Sequence, residues 1–265
     1  MTDRYAVIGN PVAHSKSPWI HAEFAKATGQ DISYGRVEAP LEGFASTVRE
    51  FQASGGKGAN VTLPFKTEAF ALCEGRVSPR AGAAQAVNTL LLAGGAVSGD
   101  NTDGVGLVND LTRLGFRPAG RRVLLLGAGG AAQGVVLPLL DTRPAALVIA
   151  NRTAARARDL ATRFGVAGGG FDELAGEQFD IVVNATSGGL TDEAPPVSDA
   201  VFRPGALAYD MVYGRETPFL AMARRAGKAA ADGTGMLVEQ AAESFYLWRG
   251  VRPDTAPVLA ALHRG

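Results

Sequence analysis

The segment Gly58-Ala59-Asn60-Val61-Thr62-Leu63-Pro64-Phe65-Lys66 carries the residue types that most directly suggest chemistry. Strand alternation puts Val61 and Leu63 on one face and Asn60 and Thr62 on the other, so a carboxamide and a hydroxyl address one ligand. Pro64 opens a helix and leaves Lys66 in its first turn, where the positive end of the macrodipole disfavours a cation. A lysine in such unfavourable surroundings suits general acid or base work, with a solvated surface lysine as the plain alternative. In Asn10-Pro11-Val12-Ala13-His14-Ser15-Lys16-Ser17-Pro18, Ser17 reads as a helix N-cap with Pro18 at the first helical position. Ser15 has no such structural duty, and two hydroxyls beside a helix N-terminus can hold a carboxylate. Asp103 stands where an N-cap is wanted and equally suits the carboxylate partner of Lys66. His14 reads as part of a turn and His21 as mid-helix, so neither is assigned to proton transfer.

A second group of residues has the spacing of a nucleotide site. Arg121-Arg122-Val123-Leu124-Leu125-Leu126 followed by Gly127-Ala128-Gly129-Gly130-Ala131-Ala132 fits a strand and then G-x-G-x-x-A. Gly127 permits the tight turn, Gly129 lets the backbone approach a pyrophosphate, and Ala132 lets the helix lie close to the strand. Unpaired N–H groups at the new helix's start then face the phosphates. The next strand ends in Asn151-Arg152-Thr153, without the acid that an NAD-selective site uses to hold the ribose hydroxyls. Arg152 pairs instead with a 2′-phosphate, helped by Thr153 and by Arg156 on the same helical face, which argues for NADP. A solvated helix surface carrying Arg152, Arg156 and Arg158 is the alternative. The loop Asn184-Ala185-Thr186-Ser187-Gly188-Gly189 follows another apolar strand and either borders the cofactor or serves as a plain turn.

These residues need a scaffold, and the composition is that of a globular one. The chain has 265 residues, 46% hydrophobic and 20% charged, with 26 basic and 26 acidic side chains. Zero net charge argues against nucleic acid and anionic membrane as partners and points to a small molecule. One cysteine, Cys73, cannot close an internal disulfide or alone make a thiolate zinc site, and with only three histidines a metal site is not expected. The N-terminus does not read as a signal peptide, so a cytoplasmic protein is expected. The uncharged stretch 123–140 is broken by glycines and Pro138 and reads as strand, turn and helix rather than a membrane span.

Short β-rich apolar runs at 5–8, 34–37, 58–62, 89–92, 122–126, 147–150, 181–184, 207–210 and 228–231 alternate with amphipathic helical segments, the pattern of an α/β fold. Two glycine-centred regions favour two domains, with seams near Thr102-Asp103-Gly104 and Gly233-Thr234-Gly235. The expectation is a substrate-binding catalytic domain at 1–102 plus helices 236–265, and a Rossmann-type doubly wound NADP-binding domain at 103–235. Leu237, Ala241, Phe245 and Trp248 mark one late helix, and 254–263 reads as another that can return to the first domain. Gly168-Gly169-Gly170 reads as a loop.

Taken in order, the motifs resemble the shikimate dehydrogenases over essentially the whole chain. The resemblance runs through the serine and lysine segments above, Ala86-Val87-Asn88-Thr89, Gly99-Asp100-Asn101-Thr102-Asp103-Gly104, the glycine turn, Asn151-Arg152-Thr153, Asn184-Ala185-Thr186, Tyr209-Asp210-Met211-Val212-Tyr213 and Asp232-Gly233-Thr234-Gly235-Met236-Leu237-Val238-Glu239-Gln240-Ala241. It implies NADPH-dependent, reversible reduction of 3-dehydroshikimate to shikimate, in the biosynthesis of chorismate and the aromatic amino acids, by a monomer or homodimer. It further implies that Ser15 and Ser17 hold the substrate carboxylate, that Thr62, Asn88, Asp103, Tyr213 and Gln240 contact ring hydroxyls, and that Asn60 helps position substrate. Lys66 would then be the proton donor or acceptor, with Asp103 beside it. Gly127, Ala128, Gly129, Gly130, Ala131, Asn151, Arg152, Thr153 and Arg156 would contact NADP, Thr186 would border it, and Met211 and Gly235 would lie near the nicotinamide. The segment 72–80 departs from the family pattern and has no counterpart to an acid found there in relatives. A quinate/shikimate dehydrogenase and a non-catalytic ligand sensor on the same fold are the competing readings; the retained Ser15, Ser17, Lys66, Asp103 and Arg152 speak against both.

Overall fold

The computed structural model describes residues 2–186 and 193–264; Ser187, Gly188 and Gly189 of the loop noted above lie outside them. The chain divides into two compact units, Met1–Gly106 with Val238–Gly265, and Leu107–Leu237. The divisions fall a few residues from the expected seams because each runs inside a helix. In α5 (Asp103–Arg113), Asp103 serves the first unit while Leu107 and Leu111 enter the core of the second. In α9 (Thr234–Arg249), Met236 belongs to the second unit's core, whereas Trp248 belongs to the first unit.

The first unit is built on β1 (Asp3–Gly9), α1 (Ser17–Thr28), β2 (Ile32–Glu38), α2 (Phe44–Ala53), β3 (Gly56–Val61), α3 (Lys66–Leu72), α4 (Pro79–Ala84), β4 (Thr89–Leu91) and β5 (Ser98–Asp100). Among the described residues its sheet runs β2-β1-β3-β4-β5, with β1 parallel to β2 and β3 and the last two pairs antiparallel. The strand β5 is short and polar and carries no apolar alternation; it exists because Asp100, Gly99 and Ser98 pair with Thr89, Leu90 and Leu91. The later half of α9 and α10 (Ala256–Leu262) return to this unit. Trp248 donates from Nε1 to the Leu90 carbonyl at 3.0 Å, and its ring occupies the place a Cβ on Gly58 would need. Phe65 and Phe44 stack in the core with centroids 4.9 Å apart. Burying a ring of that size contributes about 1.5–3 kcal/mol, and this contact anchors the residue immediately before Lys66.

In the second unit, β6 (Arg122–Leu126), α6 (Gly130–Asp141), β7 (Ala146–Ala150), α7 (Ala154–Phe164), β8 (Ala167–Gly169), β9 (Phe179–Asn184), β10 (Phe202–Asp210), α8 (Pro218–Arg225) and β11 (Ala229–Ala231) follow one another along the chain. Among the described residues every strand pair is parallel, in the order β11-β10-β9-β6-β7-β8, which is the doubly wound dinucleotide-binding topology. Along β6, Val123 and Leu125 enter one apolar cluster and Leu124 and Leu126 the other, so both faces of the strand are covered. Gly168 and Gly169 are not loop residues as expected but form part of β8, pairing with Ile149 and Ala150. Their lack of side chains is what allows it: a Cβ on Gly168 would come within 2.6 Å of the Ala157 carbonyl oxygen. No helix among the described residues is long and apolar enough to cross a membrane.

His21 lies fully buried on α1, stacked on Tyr34 with centroids 4.2 Å apart and close to Phe24, Phe245 and Trp248. Neither ring nitrogen has a hydrogen-bond partner among the described residues. Burial is the larger cause and lowers its pKa to about 3, while the nearby Asn60 carboxamide acts in the opposite direction. The unfolded chain takes up this proton below about pH 6.5 and the folded chain does not until about pH 3, so the stability that neutral His21 contributes is fully present above pH 6.5 and is lost as the pH falls between those values. The expected outcome is that His21→Phe, which keeps the stack and removes the titration, flattens the acid limb of urea-unfolding stability by up to about 1.4 kcal/mol per pH unit. An unchanged slope between about pH 6 and 4 would refute it.

Candidate functional site

Lys66 is the first residue of α3, preceded by Phe65 rather than by the helix-opening Pro64 expected from sequence. Its Nζ lies 2.6 Å from Asp103 Oδ2, with the two side chains 27% and 11% exposed. Asp103 does not cap its helix. The carbonyl of Thr102 accepts the first helical N–H, from Gly106, and the Asp103 carboxylate is spent on Lys66 and on Asn88 Nδ2, which donates to Oδ1 at 2.8 Å. Asn101 holds this arrangement from below, accepting the Asp103 N–H at 3.1 Å and donating to the Ala86 carbonyl at 3.0 Å.

Asn88 is the hub. Its Oδ1 accepts the Thr102 N–H at 2.8 Å and the Thr89 hydroxyl at 2.9 Å, and its Nδ2 also reaches Thr102 Oγ1 at 3.0 Å and Gln240 Oε1 at 3.4 Å. Ser244, one turn beyond Gln240 on α9, joins Thr89 at 2.8 Å and donates to the Gln240 carbonyl at 3.0 Å. Lys66, Asp103, Asn88 and Gln240 are thus brought together. Asn60 and Thr62 do not act as the equivalent pair expected from strand alternation. Asn60 is buried and its carboxamide is used internally: Tyr34 donates its phenolic proton to Oδ1 at 2.7 Å, and Nδ2 donates to Asn88 O, Thr89 Oγ1 and Ser244 Oγ. Thr62 follows the end of β3, and its methyl lies where a Cβ on Gly9 would fall, while its hydroxyl makes no hydrogen bond among the described residues.

The serine loop also differs from expectation. Ser17 begins α1 instead of capping it, and Lys16 in the cap position supplies no side-chain bond. The Ser17 hydroxyl faces the Tyr34 phenol, which burial holds well above its ordinary pKa and which Ser17 partly offsets. Ser15 Oγ accepts the Ser17 N–H at 3.3 Å, so its own proton is left to donate. Tyr34, Ser244, Asn101 and Thr102 join the site without having been among the residues expected there. For Ser244 the signal was its four-residue spacing from Gln240, which puts both on one helix face. The 72–80 segment has a bracing role that its residue order does not announce. Ser78 caps α4 and donates to Asp100, and Arg80 grips Asp100 through Nε at 2.7 Å and Nη2 at 2.9 Å while Nη2 also reaches Glu243 at 2.9 Å. These bonds fasten the strand that leads into Asp103 to the helix that carries Gln240.

The second unit presents an anion cradle at the crevice between β6 and β9, where the strand order reverses. Gly127 has φ 112°, and a Cβ there would meet the Ala185 carbonyl oxygen at 2.9 Å, so only glycine makes this turn. Gly129 and Gly130 face open space, Ala128 is half-buried and Ala131 exposed, and α6 starts at Gly130 without a side-chain cap. Its first N–H groups are therefore available to a phosphate. Asn151 ties the end of β7 to β8 through the Gly169 carbonyl at 3.1 Å and bonds the Thr153 carbonyl through Nδ2 at 3.0 Å. Among the described residues, Arg158 pairs with Glu173 at 2.6 Å, but Arg152 and Arg156, both exposed, pair with no carboxylate. The three arginines are not one uniform surface, and two remain free for a phosphate beside the exposed Thr153. Thr186 is held by Asn184 Oδ1, which accepts its hydroxyl at 2.7 Å. Buried Asp210 accepts from Asn184 Nδ2 and Thr217 Oγ1, bracing the turn that carries Met211. Tyr213 is exposed, and Gly235 lies flush against Asp110, whose carboxylate leaves no room for a Cβ. These residues fit a 2′-phosphorylated dinucleotide. Among the described residues, no group of His, Cys, Asp and Glu is placed to hold a metal ion.

Known proteins resemble this chain in sequence and fold. Three family models match, described as "Shikimate dehydrogenase substrate binding domain" over residues 7–90, "Shikimate / quinate 5-dehydrogenase" over 111–191 and "Shikimate 5'-dehydrogenase C-terminal domain" over 233–263. A relative from Methylobacillus flagellatus, named "Shikimate dehydrogenase (NADP(+))", is 58% identical, and the match covers 98% of this chain and 98% of its own length. Among solved structures, the Ael1 enzyme from Pseudomonas putida matches with a TM-score of 0.94 at 49% identity, covering 98% of each chain. Shikimate 5-dehydrogenase from Thermus thermophilus, solved in complex with NADP(H) and shikimate, matches with a TM-score of 0.90 at 35% identity over 99% of each chain. With an ion-paired lysine in one unit and a glycine-turn anion cradle in the other, both inside a match that spans nearly every residue, the chain belongs to the shikimate dehydrogenase family.

Proposed function

We propose that the chain catalyses the reversible, NADP-dependent interconversion of 3-dehydroshikimate and shikimate, with Lys66 and Asp103 as the catalytic pair. The observation that carries this reading is the 2.6 Å contact between Lys66 Nζ and Asp103 Oδ2, set among the side-chain amides of Asn88 and Gln240. NADPH, when bound, supplies the hydride for the ketone carbon. Reducing a ketone also needs one proton on the oxygen that becomes the alcohol. The Lys66 ammonium donates that proton, and in the oxidative direction the neutral amine takes it back. Asp103 fixes the direction of the lysine and accepts from a ring hydroxyl with its remaining lone pairs.

The other residues bind and orient. Ser15 and Ser17 hold the substrate carboxylate, and Thr62, Asn88, Tyr213 and Gln240 address ring hydroxyls. Asn60 acts indirectly, by locking Asn88, Ser244 and Tyr34. On the cofactor side, the turn Gly127-Ala128-Gly129-Gly130-Ala131 meets the pyrophosphate, and Arg152 and Arg156 pair with the 2′-phosphate. Asn151, Thr153, Thr186, Met211 and Gly235 shape the walls around it.

The purified protein is expected to reduce NADP+ with shikimate far faster than NAD+ with shikimate or either cofactor with quinate; a preference for NAD+ or quinate contradicts the reading. Lys66→Ala is expected to lower kcat by about 10³-fold while changing KM for shikimate by less than about threefold, as measured by NADPH absorbance. Equal losses in kcat and in binding would remove its proposed role. Arg152→Ala should raise KM for NADP+ by about tenfold or more and leave KM for NAD+ nearly unchanged, because only NADP+ carries the phosphate that the arginine recognises. A parallel rise for both cofactors would assign Arg152 to general structure.

A further inference from the structure

Arg36 lies on β2, an edge strand of its sheet, on the rung opposite Val7. Its guanidinium reaches the loop that follows β1 and donates to the Ser15 carbonyl oxygen from Nε at 3.2 Å and from Nη2 at 2.6 Å. A guanidinium has about five N–H donors, so most stay available after these two are used. Among the described residues no carboxylate pairs with Arg36, and its side chain is exposed. The loop therefore carries a fixed, unneutralised positive charge bonded to the very residue whose hydroxyl proton is free to donate. Ser15 and Ser17 are neutral. A carboxylate that gives up part of its hydration for two hydroxyls recovers its hydrogen bonds, and the start of α1 adds only a partial positive charge. Lys16, between the two serines, supplies no side-chain bond to the helix it precedes, so its charge has no such fixed place.

We propose that Arg36 is a specificity-determining residue for the anionic substrate: bonded to the Ser15 carbonyl, it supplies the positive charge that the serine pair lacks and selects a carboxylate over an uncharged analogue. This rests on the reading of Ser15 and Ser17 as the carboxylate site. Arg36 takes no part in hydride or proton transfer, so its effect falls on KM for the acid more than on kcat. An exposed charge of this kind acts through a screened field, and its contribution declines as salt is added.

The test compares the full-length wild type with Arg36→Gln, which keeps an N–H donor for the loop but removes the charge, and with Arg36→Lys, which keeps the charge but loses the fork. Lys16→Gln controls for general surface charge. Arg36→Gln is expected to raise KM for shikimate about tenfold with a smaller change in kcat, and Arg36→Lys to recover most of that loss. The wild-type KM should climb between low and high salt while that of Arg36→Gln stays nearly flat. Affinity for uncharged shikimate methyl ester, read as KM or as competitive inhibition, should be almost the same in wild type and Arg36→Gln. An unchanged KM for shikimate in Arg36→Gln overturns the proposal, as does an equal loss for acid and ester, which would make Arg36 a tether of the loop alone. So does a loss as large in Lys16→Gln. Failure of the underlying reading looks different: a wild type inert toward shikimate, or Ser15→Ala and Ser17→Ala with an unaltered KM, would show it independently of Arg36.

Discussion

A carboxylate shared between an ammonium and a carboxamide is the contact on which the first unit's site depends. One oxygen of Asp103 takes Lys66 and the other takes Asn88, so the group cannot rotate without breaking a charged bond. Stability alone does not explain such a pair. Ion pairs open to solvent contribute about 0–1 kcal/mol, and buried ones often cost more in desolvation than they return. With one partner 27% and the other 11% exposed, this pair sits between those cases. What it provides is placement: Nζ is aimed by a group that is itself aimed by Asn88 and Asn101.

Sheet geometry explains why residues so far apart in sequence meet. β1 and β3 are parallel, so the serine loop and the Thr62 to Lys66 turn leave the same edge. Two antiparallel steps, β3 to β4 and β4 to β5, bring the start of β4 and the end of β5 to that edge as well. Asn88 precedes β4 and Asp103 follows β5, which is why a carboxamide and a carboxylate from separate stretches of chain converge on Lys66. In the second unit the all-parallel order does the same for the glycine turn after β6, Asn151 and Arg152 after β7, Thr186 after β9 and Met211 after β10.

Much of this was legible from residue order because strong local signals coincide with function. The alternation of apolar runs and amphipathic helices announces the α/β layers, and the glycine turn after a strand of consecutive apolar residues announces the cradle. Signals failed where tertiary pairing overrides local preference. Ser98–Asp100 has no strand pattern and is a strand only because Thr89–Leu91 lies beside it. Gly168 and Gly169 look like loop residues and join β8 because the close approach of α7 to Gly168 admits no side chain. Ser17 and Asp103 were ambiguous for a related reason: a residue type favoured at helix caps is also one suited to bind ligand, and only the partners of its side chain separate the two. Ser17 lies inside its helix facing Tyr34, and Asp103 lies inside its helix facing Lys66.

The polar cluster beneath the lysine shows how such precision is held in an otherwise apolar domain. Asn60, Asn88, Thr89, Thr102 and Ser244 are all buried, and a buried amide or hydroxyl left without a partner costs about 1–3 kcal/mol. Here they satisfy one another: Asn60 donates to Thr89 and Ser244, Asn88 accepts from Thr89 and Thr102, and Thr102 reaches Gln240. In a closed set like this, no member moves without orphaning its neighbours, so small displacements are resisted more steeply than in a purely hydrophobic core. Asp103 and Gln240 stand at its margin, where substrate hydroxyls would extend the network. The cluster thus turns the rigidity of the β3, β4 and α9 packing into a fixed orientation for Asp103 and Gln240, and a polyhydroxylated ligand is chemically equipped to continue the same pattern of donors and acceptors.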